Sequence, residues 1–78
     1  MARVPYGPKY YSLEEIERRP ERGRRLTVAR LAADFTISQA AQAVGVSTSL
    51  VCMYEHGTAH PSERQVQRFI DAYERVAG

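Results

Sequence analysis

The stretch TISQAAQAVGVSTSLVCMYEHG, residues 36–57, limits this chain more than any other, because its stop and start signals fall too close together for one long helix. Thr36 is placed to cap a first helix, and Gln39, three residues on, completes a capping box by reaching back to the cap's backbone N–H. Ala40, Ala41 and Val44 follow at helical spacing. Gly45 then ends the helix where a left-handed backbone is needed, a conformation glycine adopts without a side-chain clash. Ser47 caps the second helix, Val51 and Tyr54 recur one turn apart on it, and Gly57 stops it. Small residues at Ala40 and Ala41 allow the two helices to cross closely and steeply, the helix-turn-helix geometry whose second helix can enter a DNA major groove.

The flanks add helices of their own. Residues 1–11, with Pro5, Gly7 and Pro8, cannot sustain a helix and read as an irregular arm carrying three tyrosines. Two readings apply to it: a leader laid against the domain, or an arm along DNA with Arg3 and Lys9 at phosphates or in a minor groove. Ser12 and Glu15 form a capping box that predicts a short helix from Leu13 to about Arg19, where Pro20 discourages continuation. A longer helix is expected from Arg24 or Leu26 to Asp34, with Gly23 making an earlier start uncertain. It carries two apolar faces, Leu26/Ala29/Ala33 and Val28/Leu31/Ala32/Phe35, and a surface helix needs only one. The second is expected to cover either the short helix with Leu13 and Ile16, the favoured reading, or another subunit. After Gly57, Ser62 and Gln65 open a last helix whose Val66, Phe69, Ile70, Tyr73 and Ala77 keep helical spacing. These are core positions, with Phe69, Tyr73 and Val76 as a partial dimer contact.

The fold class that follows is all-α, a bundle of four to five helices with an irregular N-terminal arm. Residues 1–20 form the arm and short helix, and residues 21–78 the helix-turn-helix domain. Seventy-eight residues make one domain. Its net charge of +2 is unevenly spread: residues 1–34 hold eight cationic side chains against five acids, and residues 35–78 three against four. A basic half beside a nearly neutral one points to an anionic partner. The densest run, residues 18–25, supplies Arg18, Arg19, Arg22, Arg24 and Arg25 as candidate phosphate contacts, or else is a solvated connector.

Residues 35–62 resemble the helix-turn-helix of the phage Cro and repressor class, the XRE family, through Thr36, Ala41, Gly45-Val46-Ser47, Glu55-His56-Gly57 and Pro61-Ser62. The resemblance implies a repressor-like, sequence-selective DNA-binding regulator. Its recognition helix, about residues 47–56, would lie in the major groove of double-stranded DNA, as a homodimer on a palindromic site. On the family's pattern Thr48, Ser49 and Met53 read base edges, flanked by Ser47 and Cys52, while Thr36, Gln39, His56 and Thr58 face phosphates. None of the five base-reading candidates is Arg, Lys, Gln or Asn, so direct readout is expected to be modest, with more weight on phosphates and DNA shape. The sequence departs from the pattern at Ile37, where a glutamine is common, and at Asp34, where a glycine often ends the first helix. Arg30 and Glu55 match a structural ion pair between the first helix and the recognition helix.

Other classes fit less well. No nucleophile with a base, phosphate-cradling glycine loop or paired carboxylates is present, so no enzyme is expected. Cys52, His56 and His60 have a metal-like spacing but lack a fourth ligand, so no metal site or cofactor is expected, nor any small-molecule ligand. The single Cys52 precludes an internal disulfide, and no run is long and apolar enough for a signal peptide or membrane span. The expected setting is therefore cytoplasmic and nucleoid-associated. The competing function is a helix-turn-helix used for protein–protein interaction, supported by the scarcity of polar readers and by Cys52 and Met53 on the exposed face.

Overall fold

The computed structural model describes residues 13–78, and among these every regular element is a helix: α1 (Leu13–Glu17), α2 (Glu21–Ala32), α3 (Ile37–Val44), α4 (Thr48–His56) and α5 (Glu63–Ala77). The tyrosine-bearing arm, with Arg3 and Lys9, and the Ser12 cap lie outside the described residues. The all-α bundle is thus observed, with five helices among the described residues.

Local chemistry sets the central boundaries as expected. Thr36 Oγ1 accepts from the Gln39 N–H, and Gln39 Oε1 accepts from the Thr36 N–H, completing the capping box. Gly45 ends α3 at φ 88°. Ser47 Oγ then accepts from the Leu50 N–H and opens α4, which Gly57 ends at φ 85°. At α5 only the Ser62 half of the expected box forms: its hydroxyl accepts from the Gln65 N–H. Asp34, the residue standing where glycine is usual, adopts the left-handed backbone at φ 64°, a conformation that costs an L residue about 1–2 kcal/mol.

Helix α2 begins earlier than its composition predicts, at Glu21 rather than Arg24 or Leu26, and runs through Gly23. Packing is the reason. A Cβ on Gly23 would lie 2.5 Å from the Glu55 carbonyl oxygen and 2.7 Å from that of Tyr54, so the glycine lets α2 lie directly on the C-terminal turn of α4. The cost of glycine inside a helix, about 1 kcal/mol, is offset by this approach. Its inward face is Gly23, Leu26, Thr27 and Arg30, all buried. The second apolar face is not covered by α1 as expected: Val28 is 52% exposed and Ala32 is exposed. Phe35 instead turns its edge to Tyr73, with centroids 5.8 Å apart.

The core lies where α2 and α3 meet α5 and α4. Leu26, Ala40, Ala41, Val51, Val66, Phe69 and Tyr73 form it, and Phe69 also packs against Tyr54. Each large apolar side chain buried there contributes about 1.5–3 kcal/mol. Phe69 and Tyr73 are therefore occupied internally, which removes them from the expected dimer contact and leaves Val76, 55% exposed. Ala77 is exposed rather than core.

Candidate nucleic-acid interface

Helix α4 has two chemically distinct sides. Val51 and Glu55 point inward, and Thr48, Ser49, Met53 and His56 point to solvent with Cys52 partly exposed between them. Because 3.6 residues make a turn, positions 48, 49, 52, 53 and 56 share one face. The structure thus brings together the five base-reading candidates, with Ser47 at the mouth of the helix. Ser47 Oγ accepts its capping bond and keeps its own O–H free to donate. Thr48 and Ser49 make no side-chain hydrogen bond among the described residues, so both hydroxyls are open to a ligand. Neither α3 nor α4 carries a lysine or arginine.

The phosphate candidates on the same side fare differently. In the Thr36–Gln39 box both side-chain oxygens act as acceptors, which leaves the Thr36 hydroxyl hydrogen and the Gln39 amide donors facing outward. Thr58 donates its hydroxyl to the Met53 carbonyl across 3.4 Å. His56 has both ring nitrogens engaged. Nδ1 lies 2.9 Å from the Cys52 carbonyl oxygen, which only accepts, and Nε2 lies 3.3 Å from Arg19 Nη2, which only donates. The network therefore assigns the proton to Nδ1 and leaves Nε2 as an acceptor. Held between these two partners, the ring has no free N–H to offer a phosphate.

Behind the solvent face, Glu55 anchors α4. Its carboxylate is 1% exposed and meets Arg30, fully buried, through two bonds: Nε donates to Oε2 at 2.7 Å and Nη2 to Oε1 at 3.0 Å. The expected pair is present as a fork-to-fork contact. Arg30 also donates Nη1 to the Phe35 carbonyl, tying the end of α2 into the same cluster. Arg19, expected at phosphates, is instead 7% exposed and donates Nη1 to Glu55 Oε1 at 3.2 Å and to Thr27 Oγ1 at 2.8 Å. Each carboxylate oxygen keeps accepting capacity beyond the Arg30 fork, and Arg19 adds a second bond to Oε1. Nothing near Arg19 in sequence announces this, since Glu55 lies 36 positions away. Thr27, which the sequence reading passed over, also meets Glu55 Oε1 at 3.2 Å, and its place one turn before Arg30 on the same face was the available signal. Pro20 continues the contact, and its ring occupies the space a Gly57 side chain would fill.

The rest of the arginine run is also engaged. Arg18 pairs with Glu14 at 3.6 Å, and Arg24 Nη1 donates to the Arg19 carbonyl. Arg22 Nε and Arg25 Nη1 each reach Glu63 at 3.0 Å, and Arg22 also donates to the Pro61 carbonyl. The Arg25 hydrogen bond holds the Glu63 carboxyl below the usual glutamate range, and Arg25 is correspondingly raised. Arg22 and Arg25 thus link the start of α2 to the start of α5.

Among the described residues no group of His, Cys, Asp or Glu is arranged to hold a metal, and no helix is long and apolar enough to cross a membrane. A family model described as a helix-turn-helix domain matches residues 21–77, more than half of the chain. No curated protein and no solved structure matches the chain.

Proposed function

The chain belongs to the helix-turn-helix domain family, and from that premise we propose that it is a sequence-selective double-stranded DNA-binding transcriptional regulator of the repressor or Cro type. The family supports DNA binding, and such domains are typically non-enzymatic. In this reading α4 enters the major groove with Ser47, Thr48, Ser49, Cys52 and Met53 toward base edges. Thr36 and Gln39 donate to a phosphate at the start of α3, and two copies bind a palindromic site.

The observation that carries the proposal is the pair of unpartnered hydroxyls at Thr48 and Ser49 on a solvent face that α2 and the Glu55 cluster hold rigid. Hydroxyls bond to several bases, and the Met53 side chain favours thymine methyls. Readout is therefore selective but shallow.

The test is a competition titration, with a duplex that the wild-type protein selects from a random pool set against a scrambled one. Replacing Thr48 and Ser49 by alanine should cost about 1 kcal/mol per lost base contact, the weak end for readout, because one hydroxyl makes one bond. The salt slope should stay fixed, since no charge is removed. A specificity ratio that survives the double substitution refutes base reading by these hydroxyls. Absence of any selected duplex would favour docking of α4 on a partner protein, the reading that the 40%-exposed Met53 fits.

A further inference from the structure

DNA must be met by cations, and in this fold the arginines of residues 18–30 already have partners within the protein. Helices α3 and α4 hold no lysine or arginine. Arg18, Arg19, Arg22, Arg25 and Arg30 each have a carboxylate partner, and Arg24 donates to a backbone carbonyl. Three arginines remain without an ion pair or hydrogen bond among the described residues: Arg64, Arg68 and Arg75, all exposed on α5. At 100° per residue they share one stripe, opposite the face formed by Val66, Phe69 and Tyr73. The stripe runs roughly 16 Å along the helix, enough to meet several phosphates of one strand.

Its position is as informative as its charge. Val44, the last residue of α3, lines the same groove as Arg64, Arg68 and Arg75. Ser47, the cap of the base-reading helix, follows three residues later, and three residues of chain reach at most about 10 Å. An arginine side chain covers most of such a gap. One carboxylate interrupts the stripe: Asp71, which accepts from Gln67 Nε2 at 2.9 Å. Three guanidinium groups against one carboxylate leave the groove cationic.

We infer that the phosphate backbone beside the base-reading end of α4 is gripped by Arg64, Arg68 and Arg75 of α5, and not by the arginine run at residues 18–25. This rests on the DNA-binding reading above. The run would then act within the protein, through Glu63 and Glu55, as the brace that holds α2 to α5 and α4.

Two charge-matched variants separate these roles. One carries Arg64→Gln, Arg68→Gln and Arg75→Gln, the other Arg18→Gln, Arg22→Gln and Arg25→Gln, with circular dichroism confirming that each is folded. Binding to a random-sequence duplex is titrated from 50 to 200 mM salt. The α5 variant should lose about 0.9 of log-log salt slope per arginine in contact, up to roughly 2.7 for all three. The other variant should keep the wild-type slope. An unchanged slope in the α5 variant, or an equal loss in both, overturns this inference while leaving DNA binding intact. A wild-type protein that binds no duplex at either salt concentration overturns both readings. If the α5 variant does not fold, single substitutions at the three sites serve, each expected to lower the slope by about 0.9.

Discussion

Replacing Glu55 by alanine probes the fold at its most heavily charged interior point. The carboxylate is 1% exposed and accepts from Arg30 twice and from Arg19 once. Its removal takes away the carboxylate that the fully buried Arg30 meets through Nε and Nη2, while the Phe35 carbonyl still accepts from Nη1. Breaking one side of a buried ion pair costs about 3–5 kcal/mol. A domain of 78 residues has about 4–12 kcal/mol in total. The substitution therefore removes a large share of stability, and a loss of 3 kcal/mol corresponds to a fall in Tm of about 12–24 °C. Thermal unfolding by circular dichroism of wild type, Glu55→Ala, Arg30→Ala and the double variant measures the coupling. The double variant should be less destabilised than the sum of the singles, since the fully buried guanidinium and its fork partner go together and Arg19 loses one bond only. The same cycle with Arg19→Ala should give a smaller coupling, because Arg19 contributes one bond at 3.2 Å and keeps Thr27 and His56 as partners. If Glu55→Ala is unfolded, Glu55→Gln preserves the shape and should still lower Tm. Additive losses in the Arg30 cycle would refute the argument, as would a coupling abolished by 1 M salt, which screens exposed pairs but not buried ones.

Two further substitutions test the packing. The Tyr73 hydroxyl is buried with no hydrogen-bond partner, and burial raises its ionisation above the usual phenol range, with the Glu55 charge adding to this. Tyr73→Phe should leave stability unchanged or raise it by about 1 kcal/mol. In the wild type the unfolded chain releases this proton near pH 10 while the folded protein retains it. Stability is then full below pH 10 and falls above it, a loss the Phe variant lacks and alkaline denaturation monitors. Gly23→Ala should destabilise the protein despite alanine's better helix propensity, since the new methyl meets the backbone of α4 at 2.5 Å. An increase in Tm in denaturant or heat scans would show that α2 and α4 do not approach as described.

The two central helices were legible in the sequence because their boundaries depend on bonds spanning three or four residues: Thr36 to Gln39, Ser47 to Leu50, and glycine at each left-handed stop. Such bonds form wherever the residue types occur in that order, whatever surrounds them. In α4, Val51 and Tyr54 recur one turn apart by sequence alone, whereas Glu55 as an inner residue and Thr48, Ser49 and Met53 as outer ones followed from the family resemblance. Tertiary structure alone decided the fate of the arginines and of Gly23. Arg19 reads as one more surface cation until Glu55, 36 residues on, is folded against it, and Arg22 and Arg25 read as phosphate contacts until Glu63 arrives. Gly23 is a weak point in an isolated helix and a contact surface in this one, because the backbone of α4 lies where its side chain would be. Local hydrogen bonds set where helices begin and end. Which charges remain free to bind another molecule depends on which carboxylates the folded chain brings within reach.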